Sequence, residues 1–411
     1  MAVLPDELLM PILRGLHWPD RHALQQTSRQ LRDAVRALLL PQPWRHAATG
    51  ARGVPNHQDV MCLAVNGDLA VAGGRIEKRP NDLQPLGDLT LWDWRNRKPL
   101  DCVPLERAVV RVAVHAPSGM VAAVLKGEPE RWSQGYVPAK PGQVQLWRQT
   151  AMGLQSCGPA QELDAGRAGG LANLAVVACS GRAFLCFSQF QPQPGQPSRL
   201  ALYEFCHPLE LHSEVFYPQS SEFQLVLGVA LPTRRNVTMA SDGDATVAHT
   251  THDNRLCAWK AQAVGERVRL QGEVTVSTSA HAVGLLSVST GYVAASSSRG
   301  PTVHEVHVWH IATCGLLATV RADHHVHSLA LRMDWGLLLC GGKANGSIVL
   351  YAINSQATAP PAKLGSLTGH HGAVTSIAML DERVLLSGSL SHDGARSLLR
   401  SDLPLRMSLG E

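Results

Sequence analysis

Residues 87–93 read Gly-Asp-Leu-Thr-Leu-Trp-Asp and hold the pattern that decides the fold: a turn, alternating apolar positions and an aromatic residue. Alternation with a period of two is typical of a half-buried β-strand, and glycine followed by aspartate is typical of a turn. The phrase recurs, and its aromatic position is occupied by Trp92, Trp147, Tyr203, Trp259, Trp309, Tyr351 and, in the last copy, Leu399. The copies are about 42 to 56 residues apart, a period typical of the four-stranded blades of a β-propeller.

The repeated phrase resembles the third strand of a WD repeat, and residues near the C-terminus resemble the rest of that repeat. Residues 367–370 are similar to its Gly-His opening, and residues 374–379 and 384–389 read as its first and second strands. The resemblance implies a structural set of His, Ser or Thr, Asp and Trp side chains joined by hydrogen bonds. Few copies hold the full set, so the repeats are divergent. We predict a mainly β protein in which residues 59–411 form a WD-repeat β-propeller of seven blades.

The sequence leaves open which segment completes the ring. Residues 46–58 read as a linker or a closing strand, with residues 46–54 as the candidate for that strand. The C-terminal residues 404–409 are the other candidate. A closed ring leaves few free strand edges, so one of these segments is expected to complete the last blade.

The first 45 residues have a helical period instead. Their apolar stripe consists of Leu4, Leu8, Leu9, Ile12, Leu13 and Leu16. Pro5 suits the first turn of a helix, where its missing N–H has no helical partner. Further cap and stop residues divide the segment into three short helices, which cannot bury this apolar surface by themselves. We therefore expect them to dock, either on the chain's own propeller or on a partner.

The order and spacing of these N-terminal residues resemble an F-box. The resemblance is carried by Leu4, Pro5, Asp6, Glu7, Leu8, Leu9, Ile12, Leu13, Leu16, Asp20, Leu24, Ser28, Arg29, Leu31, Arg32, Trp44 and Arg45. It implies that residues 1–45 form a small three-helix domain that binds a Skp-type adaptor, and through it a cullin, in a ubiquitin ligase. The adaptor-binding residues would be Leu4, Pro5, Leu8, Ile12, Leu13 and Leu16. The alternative is a helical cap on a WD-repeat protein-interaction scaffold that has no role in ubiquitination.

Long insertions indicate the surface that would hold a target protein. Residues 75–87, 126–142 and 189–198 are rich in Pro, Gly and Gln and fall between the predicted second and third strands of early blades. Insertions in repeat proteins gather on one face, often the binding face. Surface loops also tolerate insertions that serve no function, so both interpretations stay open.

The family resemblance also implies where a substrate would bind. F-box proteins with WD-repeat propellers commonly bind phosphorylated segments through arginines near the openings of the first strands, and guanidinium groups suit phosphate oxygens. The register of the repeats places Met61, Arg111, Ala172, Arg235, Gly284, His327 and Thr375 at these openings. Arg111, Arg235 and His327 are therefore the candidate substrate-binding residues. Because two arginines and one histidine make a weak basic ring, solvated rim residues without a ligand are the alternative.

Composition and motifs argue against other classes of function. A net charge of +4 with no basic block disfavours nucleic-acid binding, and no apolar run is long enough to span a membrane. Nine cysteines without a CxxC pair are typical of reduced thiols, which favours a cytoplasmic or nuclear protein. No nucleophile, phosphate-loop or dinucleotide motif is present, and the histidine runs at 304–307 and 324–327 lack further metal ligands. We expect a non-catalytic adaptor with no metal and no cofactor.

Overall fold

In the computed structural model, secondary structure over the described residues is almost entirely β-strand. The described residues are 42–43, 58–67, 69–76, 86–93, 98–126, 142–151, 153–162, 171–189, 198–205, 210–217, 239–242, 245–250, 255–264, 267–278, 283–299, 303–343, 346–354, 360–380, 384–390 and 398–402. Two single turns of 3₁₀ helix, Ala116–Ser118 and Met333–Trp335, also lie within these residues.

The strands within these residues form seven sheets, which we number in chain order. Strand β1 (Gln42–Pro43) precedes the other described strands and belongs to the last sheet. Sheet 1 contains β2 (Gln58–Asn66), β3 (Leu69–Ile76), β4 (Leu86–Asp93) and β5 (Lys98–Leu105). Sheet 2 contains β6 (Val109–His115), β7 (Met120–Leu125), β8 (Gln143–Thr150), β9 (Gly153–Ser156) and β10 (Gln161–Glu162). Sheet 3 contains β11 (Leu171–Cys179), β12 (Arg182–Gln189), β13 (Ser198–Glu204) and β14 (Glu210–Tyr217).

The second half of the chain continues the same antiparallel meander. Sheet 4 contains β15 (Met239–Ser241), β16 (Thr246–Thr250), β17 (Arg255–Val264) and β18 (Arg267–Thr278). Sheet 5 contains β19 (Val283–Ser289), β20 (Tyr292–Arg299), β21 (Val303–His310) and β22 (Gly315–Ala322). Sheet 6 contains β23 (Val326–Arg332), β24 (Leu337–Gly342), β25 (Ile348–Ala352) and β26 (Ala362–Leu367). Sheet 7 contains β27 (Val374–Met379), β28 (Val384–Ser389), β29 (Leu398–Asp402) and, at its outer edge, β1.

Every copy of the repeated phrase forms the third strand of its sheet, as predicted. The last copy, however, is shifted against the predicted register. Tyr351 pairs with Leu338, the second residue of β24, and the corresponding pair in sheet 7 is Ser401 with Leu385. Ser401 therefore holds the aromatic position, and the prediction of Leu399 is wrong by two residues. A shift by two residues keeps the same face of a strand, so the alternation of apolar residues could not reveal it.

The first strands of the seven described sheets contact one another in a closed order. Each packs against the first strand of the next sheet, and β27 packs against β2. Side-chain hydrogen bonds join strand start to strand start and strand end to strand end: Thr375 Oγ1 donates to the Val60 carbonyl, and Asn66 Nδ2 donates to the Val114 carbonyl at 3.4 Å. The first strands of sheets 7, 1 and 2 therefore run in the same direction. The Met333 N–H, just after β23, donates to Ser289 Oγ at the end of β19, so those of sheets 5 and 6 do as well. We infer the same direction for the first strands of the remaining sheets.

The apolar core lies in the seams, by which we mean the layers between neighbouring sheets. Side chains alternate between the two faces of a strand, so each sheet contributes to two seams. In six seams of the described residues, a buried aromatic side chain of the third strand packs against the preceding sheet: Trp92, Trp147, Tyr203, Trp259, Trp309 and Tyr351. The described residues of the seam between sheets 6 and 7 include no aromatic side chain.

The outer strand of sheet 7 comes from an unexpected part of the chain. Strand β1 pairs with β29 through Gln42 opposite Arg400 and Pro43 opposite Leu399. It precedes both predicted closing segments, residues 46–54 and 404–409, which lie outside the described residues. It also falls within the range 1–45 predicted for the F-box. Pro43 suits an edge strand because it has no backbone N–H to pair. The candidate adaptor-binding residues Leu4, Pro5, Leu8, Ile12, Leu13 and Leu16 lie outside the described residues as well.

The described residues include eight cysteines, and all eight are free thiols. Burial raises the pKa of Cys62 and of Cys340 to about 12, so these thiols stay protonated at neutral pH. In the part of the chain that the structure describes, no helix has the length and apolar character of a membrane span.

Candidate functional site

The topology sorts the strand ends onto two faces of the ring. In an antiparallel meander, the first strand begins at the end where the second strand turns into the third. The fourth strand also leaves for the next sheet at that end. Because the first strands run in the same direction, these ends gather on one side, which we call the front face. The predicted insertions connect β3 to β4, β7 to β8 and β12 to β13, so the strands they join end at the front face.

Four of the first strands share the same irregularity near their openings. In β2, β11, β23 and β27 the pairing with the second strand skips one residue close to the start of the strand. The skipped residues are Met61, Ala172, His327 and Thr375. All four were placed at the openings by the repeat register. A bulge of this kind re-aims a side chain, which makes these positions suited to contact a partner.

Arg111 does not hold the corresponding position. In β6 the pairing shifts between Val109 and Arg111, so that Val110 is the skipped residue. The repeat register takes the residue after a valine as the opening position. Val109 and Val110 are successive valines, so this rule fits both Val110 and Arg111. The Arg111 side chain is exposed and its Nη1 donates to the Val110 carbonyl at 2.8 Å. Burial raises the pKa of Cys62, and the positive charge of Arg111 acts in the opposite direction.

The other predicted openings have mixed outcomes. Gly284 lies within the register shift between Val283 and Leu286 of β19. Arg235 lies outside the described residues. Arg111 and His327 belong to sheets 2 and 6, which are not neighbours in the ring. The structure therefore does not bring these two candidate substrate-binding residues together.

His327 instead lies among other basic side chains at the front of sheets 5 and 6. Burial lowers its pKa, and the charges of Lys343 and His325 lower it further. The Lys343 N–H donates to the His325 carbonyl at 2.9 Å, which holds the end of β24 against the turn before β23. The centroids of the His304 and His325 rings are 4.9 Å apart. We call His304, His325, His327 and Lys343 the histidine patch.

The sequence pointed only partly to this patch. The repeat register places His327 at a strand opening, whereas His304 and His325 belong only to histidine runs that lack further metal ligands. The usable signal was that the run 324–327 crosses from an inter-blade turn into the opening of a predicted first strand. No sequence pattern marks Lys343 as a member of the patch, because its position beside the histidines depends on the turn between β24 and β25.

A second polar cluster lies across sheet 5. His307 shares a hydrogen bond with Ser297 Oγ at 3.1 Å through Nε2 and one with Thr319 Oγ1 at 3.1 Å through Nδ1. The buried Glu305 carboxylate approaches the same Nε2 at 3.5 Å. A serine–histidine–acid triad needs the hydroxyl and the carboxylate on opposite ring nitrogens. Ser297 and Glu305 approach the same nitrogen, so Ser297 is not placed as the serine of such a triad, and the cluster ties β20, β21 and β22 together.

The histidine patch is suited to bind anions. Lys343 is a hydrogen-bond donor, and each imidazole becomes a double donor when it is protonated. Among the described residues, no group of three or more His, Cys, Asp or Glu side chains is arranged to hold a metal ion.

Solved structures resemble this chain across most of its length. A chain in the crystal structure of the mitotic checkpoint complex is 14% identical, with a TM-score of 0.54 over 84% of this chain and 89% of that chain. Raptor of Chaetomium thermophilum is 11% identical, with a TM-score of 0.52 over 85% of this chain, and the match spans 29% of the Raptor chain. Both are WD40-type β-propeller proteins, so the likeness establishes the fold. No protein-family model matches the chain, and no curated protein sequence matches it either.

Proposed function

We propose that the chain is a protein-interaction scaffold that serves as a non-catalytic substrate receptor of a ubiquitin ligase. In this proposal the seven sheets are the blades of one closed propeller, and its front face holds the target protein. The N-terminal residues that resemble an F-box bind a Skp-type adaptor and, through it, a cullin. The complex acts in the cytoplasm, in the nucleus or in both.

One structural observation carries the proposal furthest. Strand β1 (Gln42–Pro43) pairs with β29 at the outer edge of sheet 7, so in the sequence the F-box-like residues up to Arg32 come shortly before this edge, and Trp44 and Arg45 come directly after it. A short connection keeps an adaptor bound to the N-terminal segment close to a target bound to the propeller. Such proximity raises the effective concentration of the target at the ligase, which is the whole mechanism that a receptor needs.

The front face supports the second half of the proposal. The strands on either side of all three predicted insertions end on this face, together with the skipped residues of the first strands. Bulges and long connections concentrate sequence variation on one side of a regular ring. A propeller of this design can hold a partner whether or not it belongs to a ligase, so a scaffold without a ubiquitin role is the competing function.

A binding experiment separates the two functions. The purified full chain is incubated with a tagged Skp-type adaptor, beside the double variant Leu8→Asp, Ile12→Asp. We expect the wild type to be retained and the double variant to be lost, because two charges replace apolar residues of the stripe that would contact the adaptor. The matched control is Leu100→Asp, Leu316→Asp, which alters two exposed leucines on outer strands of the propeller and should bind like the wild type.

The competing function predicts a different result. If the wild-type chain is folded but does not bind the adaptor, the scaffold function stands and the role in a ubiquitin ligase is excluded. If both double variants lose binding equally, the interaction depends on general surface hydrophobicity, and the role in a ubiquitin ligase is again excluded.

A further inference from the structure

The histidine patch is partly exposed, and the described carboxylates near it are paired with other groups. His325 and Lys343 are exposed, while His304 and His327 are half-buried. All four lie where β21 and β23 begin and β24 ends, on the front face. Within the described part of the chain, no ion pair involves Lys343.

The nearby carboxylates are already engaged. Asp323 accepts a hydrogen bond from Lys363 Nζ at 2.5 Å, across from sheet 5 to sheet 6. Glu305 is buried between His307 and Arg321, at 3.5 Å and 3.7 Å from their nitrogen atoms. Among the described residues, these pairings leave no carboxylate paired with Lys343 beside the three imidazole rings, which favours an anionic ligand at this place.

We propose that the histidine patch binds an anionic segment of the partner protein, through carboxylate or phosphate groups, and that binding takes up protons. The proposal rests on the proposed function only in that the front face receives a partner. It assigns the contact to sheets 5 and 6, whereas Arg111 belongs to sheet 2. Carboxylates and phosphates are acceptors of the same geometry class, so either can be the anion.

Proton uptake follows from the surroundings of the rings. Burial, with the charges of His304 and Lys343, lowers the pKa of His325, and burial with Lys343 and His325 lowers the pKa of His327. Burial also lowers the pKa of the neighbouring His324. Asp323 raises this pKa, whereas Lys363 and His304 lower it further. The lowered pKa values keep the rings of His325 and His327 neutral at neutral pH, and an anion placed against these two rings favours their protonated form. Affinity therefore rises as the pH falls toward the unperturbed range of histidine.

The test measures probe binding to the isolated full chain by fluorescence polarisation. The probes are a labelled hexaglutamate peptide, a labelled Gly-Ser peptide with two phosphoserines and the same peptide without phosphate. We expect at least one anionic probe to bind about tenfold more tightly at about pH 6 than at about pH 7.5, as uptake of about two-thirds of a proton on average over this interval would give. The unphosphorylated peptide should not bind. Because no adaptor is present, the result does not depend on the ligase proposal.

Variants locate the site. Lys343→Glu should weaken the binding of the anionic probe about tenfold, while Lys260→Glu, an equal charge change at an exposed residue of β17, should leave it unchanged. The double variant His325→Asn, His327→Asn should abolish the pH dependence, whereas His115→Asn, His310→Asn at the ends of strands on the opposite face should retain it. Binding only of the phosphopeptide, or only of hexaglutamate, identifies the anion.

Three results would overturn the proposal. These are no binding of either anionic probe at about pH 6, equal effects of Lys343→Glu and Lys260→Glu, and an unchanged pH dependence in the His325, His327 double variant. Circular dichroism of each variant confirms that the comparison is made on folded protein.

Discussion

The two seams that flank sheet 7 are built from different side chains. The seam toward sheet 1 contains Trp92, 1% exposed, against Val384 and Leu386. The seam toward sheet 6 has no aromatic residue among its described members. It contains instead a hydrogen bond of 2.7 Å between His370 Nε2 and Ser387 Oγ, both buried. Ser387 follows Leu385 by two residues and so shares its face.

The difference shows that a seam of this ring can be filled in two ways. One is a large apolar side chain from the third strand, and the other is a buried polar pair with aliphatic neighbours. The pair belongs to the structural set that the WD-repeat resemblance implies. Sheet 6 has a partial version of it: Cys340 stands at the register position of Ser387, and buried His324 Nε2 has no hydrogen-bond partner.

The largest expected effect is at the seam between sheets 7 and 1. Trp92→Ala should lower the free energy of unfolding by about 3–5 kcal/mol, because it leaves a large cavity between fully buried neighbours. Urea unfolding followed by circular dichroism measures the change. The seam between sheets 7 and 1 joins the first and last described sheets, so the urea midpoint of the whole unfolding transition should fall.

A second tryptophan provides the control for this prediction. Trp335 is half-buried in a turn, and the Arg332 guanidinium lies 3.7 Å from its ring centroid. Trp335→Ala should lower the free energy of unfolding by about 1 kcal/mol. If Trp92→Ala and Trp335→Ala lower the free energy of unfolding equally, the seam between sheets 7 and 1 does not depend on its aromatic residue.

The seam between sheets 6 and 7 should respond to pH. Burial lowers the pKa of His370 to about 4, with a smaller contribution from His371. Because the unfolded histidine titrates near pH 6.5, the unfolded state binds more protons between these values, and stability falls as the pH drops from about 6.5 to about 4. The loss should reach about 3 kcal/mol, measured as the urea midpoint against pH.

His370→Gln isolates this titration. Glutamine keeps a polar group within reach of Ser387 and does not titrate. Its unfolding midpoint should therefore fall less than that of the wild type over the same interval. Identical pH profiles would show that other groups govern the acid sensitivity and would remove His370 from that role.

Much of the fold could be predicted because its signal is local. Strand alternation and the aromatic period placed every third strand, and residues 374–379 and 384–389 matched β27 and β28 in their bounds. The aromatic position of the last copy was missed because Leu399 and Ser401 share a strand face. Strand β1 was missed because a pairing of two residues with β29 leaves no periodic pattern.

The candidate site was less accessible for a related reason. His327 followed from the repeat register, but Arg111 was misplaced by one residue where Val109 and Val110 both fit the rule. The neighbours of His327 come from β21 and from the end of β24, which meet only after the sheets have packed. A single sequence gives no information on contacts of that range.

The smallest expected effect completes the comparison between the polar pair of sheet 7 and its partial version in sheet 6. Cys340→Ser puts a hydroxyl at the register position of Ser387, within the seam that also contains Tyr351. We expect the free energy of unfolding to rise by about 1 kcal/mol, since His324 Nε2 gains the partner it lacks. Cys186→Ser is the matched control, because that thiol is equally buried but packs in a cluster of which no described member has a buried polar atom without a partner. There the new hydroxyl should lower the free energy of unfolding by about 1–3 kcal/mol. If both substitutions destabilise the chain equally, the hydroxyl at position 340 does not pair with His324. Sheets 6 and 7 then share the backbone register but not the polar pair.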